Sequence, residues 1–262
     1  MARHVARKRF GQNFLRDEIV IRALVEEIAP RAEQHLVEIG PGQGALTERL
    51  LEKCSSLDLV EIDRDLVAVL ESRFQARQGL VIHLADALTF DFRKIARGDA
   101  TRLRIVGNLP YNISTPLLFR LFDQLDAITD MHFMLQKEVV ERLCAAPGSA
   151  NYGRLSVMAR YYCEAEPLFD VAPNSFFPSP KVMSSVIRLI PYLVRPVATD
   201  VSKLRQVVSA AFGQRRKTLR NSLRAVVNDS DLLALGIDPR NRAQDLDLTD
   251  YARIADLLVK VA

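Results

Sequence analysis

The residue types able to do chemistry fall just after the ends of four apolar runs. The first set is V-E-I-G-P-G-Q-G-A at 37–45, where Gly40, Gly42 and Gly44 let a backbone approach a ligand that a Cβ would block. The spacing also satisfies G-x-G-x-x-[GA] with Ala45 last, so a nucleotide-like ligand, a dinucleotide and a plain tight turn all stay open here. Glu61 lies 21 residues after Gly40, at the end of L-V-E-I-D, where a carboxylate can accept from both hydroxyls of a ribose. Asp86 follows a further run in L-A-D-A-L and is placed to meet an adenine edge. Alone, either acid reads equally well as a helix N-cap or a solvated loop residue. Glycine turn and two acids together mark one ligand site.

The fourth set is Asn108-Leu109-Pro110-Tyr111. An arbitrary N-x-P-Y is first of all a turn. Beside a nucleotide site it has a second meaning. The exocyclic amine of adenine is a poor nucleophile because its lone pair is delocalised into the ring. An asparagine oxygen and the neighbouring main-chain carbonyl can accept its two N–H groups and favour a more tetrahedral nitrogen. A tyrosine ring stacks on the base and excludes water. After attack on a sulfonium methyl the product ammonium loses its proton easily, so positioning and electrostatics carry the rate and no general base is needed.

Alternating elements must hold these residues. D-E-I-V-I-R-A-L-V-E-E-I-A-P has helical apolar spacing, with Asp17 as N-cap and Pro30 past its end. H-L-V-E-I-G, L-D-L-V-E-I-D, L-V-I-H-L-A-D-A-L, L-R-I-V-G-N-L-P-Y-N and M-H-F-M-L-Q read as strands, with A-L-T-E-R-L-L-E-K-C, R-D-L-V-A-V-L-E-S-R-F and S-T-P-L-L-F-R-L-F as helices among them. That alternation predicts an α/β fold with a doubly wound, mostly parallel sheet, and it puts the glycine turn and both acids at the carboxyl ends of the strands. V-M-S-S-V-I-R-L-I-P reads as a late strand closing one edge. Around P-Y-L-V-R-P-V-A-T-D the texture changes to helical patterns. We place a boundary near residue 195, giving a ligand-binding domain with a basic N-terminal arm at 1–195 and a small all-helical domain at 196–262.

With 262 residues, 48% of them hydrophobic and 26% charged, the chain can build a core without disulfide or metal. No run approaches the ~18 apolar residues of a membrane span, and the N-terminus lacks the apolar block of a signal peptide. Cys54, Cys144 and Cys163 are few and scattered, and the four histidines show no metal-ligand spacing. These features predict a cytoplasmic protein with neither membrane nor metal as partner, monomeric by default. The net charge of +4 is unevenly spread: residues 186–262 hold 13 Lys+Arg against 8 Asp+Glu. Residues 201–228 carry seven basic side chains and no acid, and Arg3, Arg7, Lys8, Arg9 and Arg16 precede the first acid at Asp17. Either run could be a solvated face. Two of them, in a chain where 28 of 36 basic residues are arginine, favour a polyanionic partner such as a nucleic acid.

The motifs in combination resemble the S-adenosylmethionine-dependent rRNA adenine N6-dimethyltransferases, and within them the bacterial type acting on small-subunit rRNA. The resemblance runs through K-R-F-G-Q-N-F-L at 8–15, V-E-I-G-P-G-Q-G-A-L-T at 37–47, E-I-D at 61–63 and Asp86. It continues in N-L-P-Y-N-I-S at 108–114, H-F-M-L-Q-K-E-V at 132–139, F-F-P-S-P-K-V at 176–182 and F-G-Q-R-R-K-T-L-R-N-S-L at 212–223. It implies a Rossmann-like methyltransferase with S-adenosylmethionine as cofactor. Asn13 and Leu15 would lie along the cofactor, with Gln12 near its amino-acid end. Gly40 and Gly42 would form the turn, Glu61 would hold the ribose hydroxyls and Asp86 the adenine amine. Asn108, Leu109 and Pro110 would grip the target amine, with Asn108 also touching the methionine end. Tyr111 would stack on the flipped base and Phe177 would form the opposite wall; from the residues alone, Phe176 and Phe177 read as core aromatics. Arg215, Arg216, Lys217 and Arg220 would grip the RNA backbone.

The implied reaction converts two adjacent adenosines in the 3′-terminal hairpin loop of 16S rRNA, within the 30S subunit, to N6,N6-dimethyladenosine during ribosome biogenesis. Rival readings differ in what they leave unexplained. An NAD-dependent dehydrogenase shares the glycine turn and Glu61 but not N-L-P-Y or the basic runs. A 23S rRNA adenine methyltransferase shares much of the pocket but not the 212–223 segment. A DNA adenine methyltransferase more often shows D-P-P-Y. A 30S assembly factor with methylation secondary uses the same surfaces.

Overall fold

The computed structural model describes residues 11–75, 77–96, 102–214 and 216–260. Two compact units make up the chain: Met1–Val140 with Glu166–Pro191, and Glu141–Ala165 with Tyr192–Ala262.

In the first unit, a two-residue strand β1 (Phe14–Leu15) leads into α1 (Glu18–Ile28). Asp17 caps this helix by accepting from the Ile19 and Val20 amides, and the Ile21, Leu24 and Ile28 side chains form its buried stripe. There follow β2 (His35–Ile39), α2 (Ala45–Leu50), β3 (Ser56–Glu61), α3 (Arg64–Arg73), β4 (Leu80–Leu84), β5 (Leu103–Asn108), α4 (Ser114–Phe122) and β6 (Ile128–Gln136). Next in the chain are α5 (Lys137–Cys144), α6 (Arg154–Tyr162), β7 (Cys163–Val171), β8 (Phe176–Phe177) and β9 (Ser184–Pro191).

The main sheet has the order β4-β3-β2-β5-β6-β9-β7. Strands β4 through β6 pair in parallel, and β9 runs antiparallel to β6. Chain direction across the sheet reverses between β2 and β5, because β3 and β4 lie on one side of β2 and β5 and β6 on the other. A crevice outside the carboxyl ends opens at such a point. Strand β2 is buried along its whole length, as expected of a strand between two parallel neighbours with both faces covered. The late strand β9 does not close the edge as the sequence pattern suggested; β7 lies outside it. C-E-A-E-P-L-F-D-V carries too many polar residues to read as a strand, as suits an outermost position with much of its surface in water.

One buried cation fixes α1 to the sheet. The Arg104 guanidinium, on β5, donates from Nη2 to the Ile28 carbonyl at 2.6 Å and from Nη1 to the Ala29 carbonyl, while Nε forks onto Asp130. A charge at a helix C-terminus meets its orphan carbonyls and the negative end of its dipole. A second pairing holds the other end of this segment. β1 and β8 form their own antiparallel sheet, Phe14 opposite Phe177 and Leu15 opposite Phe176. The Arg16 amide donates to the Ser175 carbonyl and Ser175 Oγ donates to Asp17.

The second unit contains α7 (Val201–Gly213), α8 (Leu219–Ser222), α9 (Asp229–Ala234) and α10 (Leu248–Lys260), together with α6. The aromatic rings of Tyr152, Phe212 and Tyr251 meet at 6.0 and 5.9 Å in its core. Glu141–Ala165 thus joins the helices beyond Tyr192, so this unit draws on two stretches of sequence. K-T-L-R-N-S-L-R-A-V-V, helical by pattern, forms only the single turn of α8. Among the described residues no helix is long and apolar enough to cross a membrane.

Candidate active site

A cavity of about 470 Å3 opens at the carboxyl ends of β2, β3, β4 and β5, within the range of about 300–1,000 Å3 usual for small-molecule sites. Gln12, Asn13, Leu15, Gly40, Gly42, Glu61, Asp86, Asn108, Leu109, Pro110 and Tyr111 all line it. Residues far apart in sequence, each proposed for its own reason, share one space. Phe177 is not among the lining residues; it sits on β8, opposite Phe14, which is.

The glycine turn is shaped by two different constraints. Gly40 and Gly42 both have φ in the left-handed region, at 66° and 58°. A Cβ on Gly40 would meet only Pro110 Cδ at 3.8 Å and the Asn108 carbonyl at 3.9 Å, ordinary contact distances, so the left-handed φ and not crowding is what favours glycine there. A Cβ on Gly42 would stand 2.9 Å from the Phe14 ring. Gly42→Ala is therefore expected to cost roughly 2 kcal/mol through backbone strain and overpacking, lowering Tm by about 4–8 °C. Thermal unfolding of the variant checks this, and an unchanged Tm would remove Phe14 as the constraint.

Glu61 is 5% exposed and ends β3. Its Oε1 accepts from the Ile62 and Asp63 amides at 3.0 and 2.9 Å, and its Oε2 from the Gly42 amide at 3.3 Å. One carboxylate thus ties the glycine turn to the strand beside it; the two amides take both lone pairs of Oε1, and Oε2 keeps one for a hydroxyl. Burial raises its pKa although the three amides oppose this. Half-buried Asp86 accepts from the Leu88 amide at 2.9 Å through Oδ1. It is both the loop cap foreseen as the plain reading and a wall of the cavity.

Asn108 ends β5. Its Nδ2 donates to the Asn13 carbonyl at 2.9 Å, which fixes the amide and leaves Oδ1 as an acceptor. Asn13 therefore serves through its main chain, while its own side chain donates to the Gly11 carbonyl. Gln12 donates to Asp63 at 3.2 Å. Leu15 and Leu109 are 7% and 1% exposed, so they shape the site from the core. The Leu109 amide donates to the Met134 carbonyl, which holds the turn against β6. The Tyr111 hydroxyl lies 2.6 Å from Ser184 Oγ on β9, so the long-range strand pairing positions the ring. Burial raises the Tyr111 pKa, and it stays a neutral phenol at neutral pH. Phe176 is 4% exposed, as a core aromatic should be, whereas Phe177 is 57% exposed.

Glu38 was not singled out in the sequence. It lines the cavity, is 2% exposed and accepts from Thr47 Oγ1 at 2.6 Å. The available signal was an acid in the middle of an otherwise apolar strand (L-V-E-I). Burial, against the Thr47 hydrogen bond and with repulsion from Glu61, pushes its pKa to about 7. The folded protein thus holds a proton that the unfolded chain releases nearer the ordinary value of 4.5. Its contribution to stability is largest at low pH, falls as pH rises between those values and is level above about 7. A cationic ligand in the cavity favours the ionised form. Binding of S-adenosylmethionine should release protons below pH 7 and tighten as pH rises through that value, and Glu38→Gln should flatten the profile. Calorimetry in buffers of different ionisation enthalpy reads this directly.

Of the basic residues proposed to meet RNA, Arg215 lies outside the described residues, as do Arg3, Arg7, Lys8 and Arg9. Arg216, Lys217 and Arg220 are exposed in and after the turn that follows α7. Arg220 forms an ion pair of 2.6 Å with Asp229, the acid that closes the acid-free stretch. Arg205, within the same stretch, donates to the Tyr162 hydroxyl at 2.6 Å and stacks over its ring.

The sheet order, the crevice at its reversal point, the glycine turn and the two acids define a Rossmann-like fold with a nucleotide-type cavity. The chain matches the family model described as ribosomal RNA adenine dimethylase over residues 3–260, and it belongs to that family. It is 58% identical over 253 residues to ribosomal RNA small subunit methyltransferase A of Methylococcus capsulatus, covering 97% of this chain and 98% of that one. The protein of the same name from Proteus mirabilis is 53% identical over 256 residues, covering 97% and 94%. Among solved structures, a dimethyladenosine transferase from Plasmodium falciparum matches with a TM-score of 0.80 at 24% identity, covering 94% of this chain and 98% of that chain. The 23S rRNA methyltransferase ErmE matches at 0.69 and 23%, covering 94% and 100%. At those identities the two structures speak for the fold.

Proposed function

We propose that this protein dimethylates the N6 amines of two adjacent adenosines in the 3′-terminal hairpin loop of 16S rRNA, as a monomer acting on the 30S subunit in the cytoplasm. Adenine dimethylation of rRNA with S-adenosylmethionine follows from the family; the names borne by relatives above 50% identity support the small subunit as its substrate. The observation that carries the reading is Asn108: its amide nitrogen is committed to Asn13, which leaves its oxygen as the acceptor, and it lines one cavity with the glycine turn, Glu61 and Asp86.

The residues present fit the cofactor. Glu61 would hold the ribose hydroxyls and Asp86 the adenine amine; the side-chain-free Gly40 leaves room for the body, with Asn13, Gln12 and Leu15 along it. S-adenosylmethionine supplies an electrophilic methyl on its sulfonium. Asn108 Oδ1 accepts one N–H of the target amine and the Leu109 carbonyl the other, so the nitrogen lone pair turns out of the ring plane towards the methyl. Pro110 rigidifies the turn that presents both acceptors. Tyr111 stacks on the base, held by Ser184, and Phe177 closes the opposite side. When bound, the cofactor would give that methyl to the nitrogen, its sulfur leaving as a neutral thioether, and the proton lost from the nitrogen would pass to water. A second round on the monomethylated amine completes the product. An unpaired loop base is the easiest to unstack and insert into such a site. Arg216, Lys217 and Arg220, with Arg215, would grip the RNA backbone from the helical domain.

Labelled S-adenosylmethionine incubated with 30S subunits from a strain lacking the modification, followed by nucleoside mass analysis, tests this. Dimethyladenosine at two adjacent loop positions is the expected result. Label on 23S rRNA would move the activity to the large subunit. Tight 30S binding without transfer would replace catalysis by a docking role in assembly.

A further inference from the structure

Two cations that this mechanism leaves unused line the cavity: Arg73, which is held by Glu48 and the Gln43 carbonyl, and Arg16. Arg16 follows β1 directly, lines the cavity and is exposed. Its guanidinium carbon is 4.2 Å from the centroid of the Phe177 ring. This is not a chance meeting of two surface side chains, because β1 and β8 are paired in fixed register and the Arg16 amide is itself bonded to the Ser175 carbonyl. The acids beside Arg16 are engaged elsewhere. Asp17 caps α1 and accepts from Ser175 Oγ, and Glu18 pairs with Arg49 at 3.1 Å. Among the described residues no carboxylate pairs with Arg16.

A guanidinium held over a ring with no carboxylate on it keeps N–H donors free, and its planar fork matches two oxygens of a phosphate. Stacking over Phe177 also spares it much of the rotamer entropy that an exposed arginine loses on binding.

We propose that Arg16 is a phosphate subsite at the mouth of the target pocket: backed by Phe177, it grips the RNA backbone at the nucleotide whose base enters between Tyr111 and Phe177. The inference rests on the dimethylation reading. Since the contact is to backbone and not to a base, it serves both adjacent adenosines equally, and it places the base without touching the cofactor.

The test compares wild type, Arg16→Gln and Arg16→Lys in transfer to unmodified 30S subunits over a range of salt concentrations, with S-adenosylmethionine affinity measured separately. Arg16→Gln should lower kcat/KM about tenfold at low salt, by the same factor at both adenosines. It should also make the slope of log kcat/KM against log salt shallower by about 0.7, the loss of one phosphate contact to a single strand. Arg16→Lys keeps the charge and should restore most of the slope. S-adenosylmethionine affinity should stay within about twofold in both variants. A wild-type slope in Arg16→Gln, a loss confined to one adenosine, or a matching fall in cofactor affinity would each overturn the subsite. A wild-type enzyme that transfers nothing to 30S subunits would instead overturn the dimethylation reading, and the subsite with it.

Discussion

Asn108→Ala should lower kcat for methyl transfer by about 10²–10³-fold while weakening S-adenosylmethionine binding less than about tenfold. The magnitude is that of removing one fixed dipole from a reacting centre. The asymmetry follows from geometry. Asn108 Nδ2 is spent on the Asn13 carbonyl at 2.9 Å, so what the substitution removes from the reaction is Oδ1, the acceptor for the amine. Asn108→Asp gives a sharper check. It keeps an acceptor where Oδ1 stands but loses the donor to Asn13 and sets a carboxylate oxygen against that carbonyl. It should therefore be nearly as slow as the alanine variant, although it could still accept from adenine. Single-turnover transfer on 30S subunits, with cofactor affinity measured by calorimetry, separates the two quantities. A kcat near wild type in Asn108→Asp would show that the fixed orientation is unimportant. Equal losses in kcat and cofactor affinity in Asn108→Ala would make Asn108 a cofactor ligand only.

Glu61→Ala acts earlier, at the cofactor. It removes the acceptor proposed for the ribose and, at once, the one that the Gly42, Ile62 and Asp63 amides use. One charge-assisted hydrogen bond at ~1.5 kcal/mol or more, together with the loosened glycine turn, implies at least about a tenfold rise in the Kd for S-adenosylmethionine. Glu61→Gln should be no rescue. Both carboxylate oxygens already face backbone N–H groups, so either orientation of the amide sets its NH2 against a donor. Affinity for 30S subunits should be unchanged in both variants, since the residue is buried and remote in sequence from the basic segments. Equilibrium binding of cofactor and of 30S to each variant checks both halves. A glutamine variant with wild-type cofactor affinity would remove the assigned role, and a parallel loss of 30S binding would point to a general collapse of the fold.

Much of the first unit was legible because its information is local. Apolar runs of five or six residues, followed by a glycine, an acid or Leu-Pro and then by helical spacing, define parallel βαβ units. Position at a strand's end was enough to bring Gly40, Glu61, Asp86 and Asn108 to one crevice. The cap of α1 at Asp17 was legible for the same reason, since a capping bond spans only two or three residues.

What stayed hidden was set by pairing across long sequence distances. β1 and β8 are two residues each, too short for any periodicity, and exist as strands because each supplies the other's hydrogen-bonding edge. That pairing decides that Phe176 is core and Phe177 is exposed, which their identical side chains could not reveal. The acid-free run 201–228 is likewise acid-free only along the chain. Folding brings Arg220 against Asp229 and stacks Arg205 on Tyr162, so charge counted by sequence overstates the charge offered to a polyanion. Glu38 shows the same limit in the site itself: a carboxyl inside an apolar strand is visible in the sequence. Its pKa of about 7 arises only from full burial beside Thr47 and Glu61, neighbours that the closed fold supplies. The sequence by itself determined which groups could bind a nucleoside and orient an amine, because their types and strand-end positions are local properties. The tertiary structure decided how each is oriented, buried and ionised, because those depend on neighbours that only long-range strand pairing brings together.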